Sequence, residues 1–352
     1  MRILILGGTA FLSSEIARQA VSAGHTVTCL ARGSATEPPD GVQWVKADRS
    51  LGANSYAQVA GDWDAVIDVA RGPVLAKGAL AALAHRAAHW TFVSSCSVYA
   101  DHSTPGAAED ADLLAPLPTG TESTPENYGE SKSAIEQATL EAAGDRAHLC
   151  RAGLISGPGD GTDRYGYWPA RFARDNGPAV VPAIASHATQ VIDVRDLAAW
   201  VLDAAQRGVT GPLNAVGEHV PFGEYIEAAT TAAGYQGEAL KAPEDWLLEH
   251  GIDYWAGPDS LPLWLPPGHE GFCSRSNHAA RAAGLTLRPW QETLADTLED
   301  ERRRGLDRPR KAGLTPATET RLAEELLRAA ESVPPNRGLR PPRSRVNDAR
   351  GS

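Results

Sequence analysis

The first thirteen residues, Met1-Arg-Ile-Leu-Ile-Leu-Gly-Gly-Thr-Ala-Phe-Leu-Ser13, decide the fold. Ile3–Leu6 is a short, continuously apolar run, the pattern of a strand buried on both faces in a parallel sheet. Gly7-Gly8-Thr9 breaks it. A helical pattern from about Ala10 to Ala23 follows, with Phe11, Ile16, Ala20 and Val21 on one side, and Gly24 ends it. His25–Leu30 is a second strand. Strand, glycine turn, helix and strand in about 30 residues make one βαβ element.

The alternation continues outward. Val42–Lys46, Asp64–Val69, Trp90–Ser94 and Ala147–Arg151 read as strands; Val74–Arg86 and Glu126–Ala143 read as helices. Repeated β–α alternation predicts an α/β fold, a Rossmann-type doubly wound parallel sheet, with a smaller C-terminal substrate-binding region. Gln190–Val194 and Pro212–Val216 are expected to return to that sheet, and helices after Pro221 and Pro243 to form a cap. The division is 1–156 plus 188–217 for the dinucleotide domain, 157–187 plus 218–310 for the substrate region, and 315–332 for a last helix. Residues 333–352, rich in Pro and Arg and poor in apolar side chains, are expected to be a disordered tail.

The turn spaces Gly7, Ala10 and Ser13 where a dinucleotide fingerprint puts its glycines, so Gly7, Thr9, Ala10, Phe11 and Leu12 are the candidate pyrophosphate cradle at a helix N-terminus. A simple tight turn is the competing reading. After the second strand stand Ala31 and Arg32, without the carboxylate that grips an NAD ribose. Arginine suits a 2′-phosphate, so NADP(H) is favoured and NAD(H) is the other option. Asp48 is placed at the adenine, and Asp68 and Arg71 at the cofactor edge, with a loop ion pair as the alternative. Tyr128-Gly-Glu-Ser-Lys132 puts a phenol and an ammonium on one helical face, where the ammonium would lower the phenol pKa from about 10 and make it a proton donor or acceptor. Ser95, at a strand's carboxyl end, can hold a substrate oxygen beside it.

Composition sets outer limits. The chain has 352 residues, 42% hydrophobic and 22% charged, with a formal net charge of −11, which disfavours nucleic acid and anionic membrane as partners. Cys29, Cys96, Cys150 and Cys273 form no CxxC pair, and the ten histidines form no HExxH pattern, so no metal site is expected. No apolar run reaches the roughly 18 residues of a spanning helix, no leader is recognisable, and reduced thiols are expected, so the reading is cytoplasmic.

Together these features resemble the extended short-chain dehydrogenase/reductase superfamily from Met1 to about Leu306. The glycine turn, Ser95 four residues before Tyr99, the Tyr128/Lys132 pair, Arg151 with Gly157-Pro158, and Gln190-Val-Ile-Asp193-Val-Arg-Asp196 carry the resemblance. Gly161–Pro169 and Leu261-Pro-Leu-Trp-Leu-Pro266 look like an actinobacterial epimerase/dehydratase-like reductase branch. The resemblance implies Ser95, Tyr128 and Lys132 as catalytic residues. It also implies that Lys132 holds the nicotinamide ribose, that the substrate is a small molecule, and that α-helices like that of Tyr128 pair in a homodimer. Cys96 and Ser97 replace the Asp-Glu pair of sugar-nucleotide dehydratases, and Leu154 replaces an Asn common in sugar-nucleotide enzymes. Both departures, with Arg32, favour carbonyl reduction. A nucleotide-sugar epimerase with tightly held NAD and a non-enzymatic cofactor sensor are the alternatives. Tyr165, Tyr167, Trp168 and Trp264 are expected to line an apolar substrate pocket, with plain core packing as the competing assignment.

Overall fold

The opening strand–turn–helix–strand unit is present as β1 (Arg2–Leu6), α1 (Phe11–Ser22) and β2 (Thr26–Ala31). The computed structural model describes residues 1–33 and 36–332; the tail expected at 333–352 lies outside them. Next come β3 (Gln43–Lys46), β4 (Ala65–Asp68), α2 (Pro73–Leu83), β5 (Trp90–Ser95), α3 (Tyr128–Ala143), β6 (Ala147–Ala152) and β7 (Leu154–Ser156). They are followed by α4 (Tyr167–Arg174), β8 (Ala179–Pro182), β9 (Ala188–Asp193), α5 (Val194–Arg207) and β10 (Gly211–Ala215).

Seven parallel strands build the main sheet in the order β10-β6-β5-β4-β1-β2-β3. The order reverses between β1 and β4, whose ends Leu6 and Asp68 are in register. Ligands of open α/β sheets sit at such a switch point, beyond the carboxyl ends of the strands. Both faces are covered, which is why β1 reads as an unbroken apolar run. Ile3, Ile5, Ile16 and Leu197 join one core under α1 and α5; Leu4, Val66, Phe92 and Ile135 join the other under α2 and α3. Each such apolar side chain contributes about 1.5–3 kcal/mol by leaving water.

The second region is built from β11 (His219–Pro221), α6 (Phe222–Ala233), β12 (Ala239–Ala242), α7 (Glu244–Glu249), α8 (His278–Ala282), α9 (Trp290–Arg304) and α10 (Pro316–Ser332). Its core gathers Trp168, Phe172, Phe222, Tyr225, Leu247, Trp264 and Leu322. The Trp168 ring lies 6.1 Å from Phe172 and edge-on to Phe222 at 5.6 Å. Arg171 and Glu319, both buried, form an ion pair that ties α4 to α10.

One expectation needs correction. β10 does return to the main sheet, pairing Gly211–Ala215 with His148–Ala152. The strand predicted near Gln190–Val194 does not. It is β9, which lies between β7 and β11 in a separate three-stranded sheet. β10 already occupies the edge beside β6, and the chain bends away at Gly153, where a Cβ would come within 2.9 Å of the Val216 side chain. β7 therefore leaves the main sheet, and β9 follows it.

Among the described residues no helix is long and apolar enough to cross a membrane. The four cysteines are buried free thiols.

Candidate active site

The glycine turn is shaped by what lies beneath it. Gly8 has φ 101°, and a Cβ there would meet the Cys29 Sγ at 2.2 Å, so β2 holds the turn down and only glycine fits. The Gly7 N–H donates to the Leu30 carbonyl at 3.0 Å. Ala10, the N-cap of α1, has no side chain to cap the helix, and Ser13 Oγ turns back to the Ala10 carbonyl at 3.0 Å. The first N–H groups of α1, those of Phe11 and Leu12, thus keep their hydrogen-bonding capacity at the positive end of the helix dipole. This donor set, at the switch point, fits a dinucleotide pyrophosphate.

At the end of β2, Arg32 is exposed and lies 3.9 Å from Asp48. Asp48 also accepts from the Ser50 N–H at 2.9 Å and the Ser50 hydroxyl at 2.8 Å, capping the 3-10 helix that follows β3. Both Ser50 bonds go to Oδ1, and Oδ2 faces Arg32. Asp68 is buried rather than open to the cofactor edge. It receives a forked pair from Arg49 at 3.0 and 3.1 Å and the Ala70 N–H at 3.0 Å. Arg49, which no sequence motif marked, also reaches the Leu75 carbonyl at 3.0 Å and so fixes the loop after β4.

Tyr128 opens α3. Asn127, just before it, accepts the Thr124 N–H at 2.8 Å and donates to the Glu122 carbonyl at 2.9 Å, setting the direction of entry. A Cβ on Gly129 would lie 2.3 Å from the Ser97 carbonyl, so glycine is what lets α3 settle on the turn after β5. That brings Tyr128 to Ser95. Ser95 Oγ accepts the Ser97 N–H and contacts Ser97 Oγ, both at 3.1 Å. One turn along, the Lys132 ammonium is buried and donates to the carbonyls of Ala70 at 2.8 Å and Val93 at 2.9 Å. It lies 4.6 Å from the Phe92 ring centre and 5.7 Å from that of Tyr128. Burial drives its pKa down to about 7, against the Asp68 carboxylate, which holds it up.

The electrostatics differ from the sequence expectation. Burial raises the Tyr128 pKa above its ordinary value. The groups that pull it back are Arg71, Ser95 and Arg164, in that order, and Lys132 is not among them. Arg71 is exposed in the loop after β4. Arg164 comes from the loop between β7 and α4, stacks at 5.0 Å on the Trp255 ring, and was not singled out from the sequence. Its only signal there was its place in the Gly161–Pro169 run.

The predicted aromatic pocket is corrected. Tyr165, Tyr167, Trp168 and Trp264 all lie in the C-terminal core, each no more than 3% exposed. Their polar atoms and backbone are engaged there: Trp168 Nε1 donates to the Pro262 carbonyl at 2.8 Å, Trp264 Nε1 to Glu244 at 2.7 Å, and the Tyr165 carbonyl accepts the Tyr225 hydroxyl at 2.6 Å. Large aromatics near a Pro/Gly-rich stretch filled a core in which each indole found an acceptor. A cavity of about 320 Å³ nearby is lined by Leu263, Leu265, Pro266, His187 and His219, among others, and by none of Ser95, Tyr128 or Lys132.

Comparison with known proteins places this geometry. Residues 3–217 match the model of the NAD dependent epimerase/dehydratase family. Among curated proteins no sequence matches significantly. Solved structures do. A candidate epimerase of Burkholderia cenocepacia is 20% identical, with TM-score 0.67 over 86% of this chain and 98% of that one. The UDP-glucuronic acid 4-epimerase of Bacillus cereus, solved with NAD, is 14% identical, with TM-score 0.63 over 86% and 99%. The UDP-glucose 4-epimerase of Thermus thermophilus, also with NAD, is 18% identical, with TM-score 0.58 over 86% and 99%. At these identities the likeness is one of fold. The family model covers most of the chain, from the glycine turn through the Ser95, Tyr128 and Lys132 positions to the last strand of the main sheet, and the chain belongs to the NAD dependent epimerase/dehydratase family.

Proposed function

We propose that the chain reduces a carbonyl group on a small molecule with NADPH, with Tyr128 as the proton donor. The observation that carries this reading is the Lys132 ammonium held under Tyr128 by two backbone carbonyls, with Ser95 beside the phenol. Gly7, Thr9, Ala10, Phe11 and Leu12 would hold the pyrophosphate, Arg32 the 2′-phosphate and Lys132 the nicotinamide ribose. The cofactor, when bound, supplies hydride. Ser95 and Tyr128 orient the substrate oxygen, and the Tyr128 hydroxyl gives its proton to that oxygen. Arg71 and Arg164 favour the phenolate that remains.

Two residues support reduction over dehydration. Cys96 stands where a dehydratase has its acid. Its thiol is pushed up to about 12 by burial, which keeps it protonated and unable to act as a base near neutral pH. Leu154 is buried in the C-terminal core and presents no polar group to a substrate phosphate.

Epimerisation with retained NAD is the second reading. Asp48 beside Arg32 favours it, because a carboxylate there competes with a 2′-phosphate for the guanidinium. Cofactor titration separates the two. Binding of NADPH at least tenfold tighter than NADH, with net oxidation of NADPH by a carbonyl substrate, is expected. NAD that survives gel filtration, with no net redox turnover, would establish the epimerase instead. No binding of either dinucleotide would overturn both.

A further inference from the structure

We propose that the cavity of about 320 Å³ in the second region is a binding site for a small organic cation, an ammonium, amidinium or guanidinium carried on an apolar body. The cavity borders none of Ser95, Tyr128 or Lys132, so this inference stands independently of the proposed function. Its size falls within the roughly 300–1,000 Å³ of small-molecule sites. Leu263, Leu265, Pro266 and Pro267 give it an apolar wall, and Pro105 joins them from the loop after β5. Among the described residues none of those lining it is lysine or arginine, whereas Glu244 and Glu270 both line it. A carboxylate or phosphate would meet no cation there; an organic cation meets two carboxylates.

The polar groups around the cavity have capacity left for hydrogen-bond donors. Glu244 accepts the Trp264 Nε1–H on Oε2 at 2.7 Å, and its other oxygen has no partner among the described residues. Glu270 takes the Gly268 N–H on Oε1 at 3.0 Å, and its Oε2 takes no hydrogen bond from another described residue. The Ser274 hydroxyl donates to the Glu270 carbonyl at 2.9 Å, so it has only lone pairs left to offer. His269 Nδ1 is buried with no hydrogen-bond partner. Buried polar atoms are nearly always paired in folded chains, and an N–H of a bound molecule supplies the missing partner here. A cation of this class is rich in donors and matches the excess of acceptors. Among the described residues no three His, Cys, Asp or Glu converge as metal ligands, so the cation is an organic one.

The walls are already fixed by the protein. Leu263 sits in the left-handed region at φ 68°, which a non-glycine residue holds only with support. Its neighbours give that support: the Pro262 carbonyl accepts Trp168 Nε1 at 2.8 Å, and Trp264 is anchored on Glu244. Another wall is sewn to the loop after β5. There the Gly271 N–H donates to the His102 carbonyl at 2.7 Å, and the Gly106 N–H to the Ser274 carbonyl at 2.8 Å. A Cβ on Gly271 would lie 2.3 Å from the Thr104 carbonyl oxygen, so the two loops touch at a position that only glycine allows. The His269 ring stacks on that of His102 at 5.5 Å, and the Arg275 guanidinium donates to His102 Nδ1 at 3.2 Å. A cavity built in this way loses little binding free energy to ordering itself.

The test uses the full chain in a buffer containing EDTA, titrated calorimetrically with benzamidine hydrochloride. Two probes of nearly the same shape, neutral benzamide and anionic sodium benzoate, are titrated separately. Benzamidine should bind with unit stoichiometry and a Kd below about 1 mM. Benzamide should bind about tenfold more weakly, and benzoate more weakly still. Glu244→Gln keeps an oxygen for Trp264 Nε1 but removes the charge, and should weaken benzamidine about tenfold. Glu270→Gln, at an exposed carboxylate, should weaken it by less. His269→Phe keeps a ring against His102, removes the unpaired nitrogen and should also weaken it. If Glu244→Gln does not fold, Glu270→Gln and His269→Phe, both in the outer loop, carry the test. Tyr128→Phe should leave benzamidine affinity unchanged; its loss there would move the probe to Tyr128 and overturn the site. No saturable binding of benzamidine at concentrations on the order of 1 mM overturns it too. Benzoate bound as tightly as benzamidine overturns the assignment of charge. Affinity unchanged within twofold in every variant of the cavity overturns its location.

Discussion

The two regions of this molecule are held together differently. The main sheet is built from apolar strands in strict register, and its stability is spread over many similar contacts such as Ile3, Ile5, Val66 and Phe92. The C-terminal region has short strands and leans on indole hydrogen bonds and buried charge. Arg171 and Glu319 are each almost fully buried, and Asp163 and Glu301 share Arg304, Arg308 and Arg310. The sheet region has two comparable pairs, Arg151 with Glu136 at 2.9 Å and Arg49 with Asp68 at 3.0 Å. A sheet held by many small contacts tolerates loss of any one. The second region adds buried ion pairs to an apolar core of its own, and losing one partner of such a pair strands a buried charge.

The largest expected effect tests where the chemistry lies. Tyr128→Phe should lower kcat about 10²–10⁴-fold on an identified carbonyl substrate; a loss under tenfold would move proton transfer out of the sheet half. Glu319→Ala should cost about 3–5 kcal/mol, since it strands the buried Arg171 guanidinium, and urea unfolding would read it. Ile5→Val, in the sheet, should cost only about 0.5–1.5 kcal/mol. Equal costs would erase the contrast between the regions.

Lys132 adds a pH signature. Its folded pKa, about 7, lies below the ordinary lysine value of 10.5, so the unfolded chain binds more protons between those limits. The burial penalty is complete below pH 7 and fades as pH rises toward 10.5. Thermal melts at pH 6, 8 and 10 should therefore show the wild type gaining on Lys132→Met as pH increases; a constant gap would mean that the ammonium is not penalised. The smallest effect concerns the cofactor end. Asp48→Asn frees Arg32 from an exposed pair worth about 0–1 kcal/mol, so NADPH affinity should rise by up to about fivefold; a fall would show that Asp48 itself contacts the cofactor.

The sheet was legible because its rules are local. An apolar run, a glycine turn and a helix with period 3.6 follow one another in the chain, and the Tyr128–Lys132 spacing states its own geometry. The region beyond Gly157 was not legible because its partners are remote. Trp168 reaches its acceptor at Pro262, and Arg171 its carboxylate at Glu319. Four aromatic residues assigned to a substrate pocket turned out to be core for that reason. β9 was misplaced because an apolar strand does not declare which edge is free. Arg164 went unnoticed because its interaction with Tyr128 arises only once the chain is folded.

The Arg171–Glu319 pair also has a meaning in time. The two residues are 148 positions apart in the chain. At ordinary synthesis rates of about 5–20 residues per second, the carboxylate emerges roughly 7–30 s after the guanidinium it will neutralise. During that interval α4 cannot close over its charged side chain without penalty. The main sheet, complete once β10 is made, can already be folded. The sequence separation of this one pair thus sets a time order, with the main sheet made before the counter-charge that α4 needs.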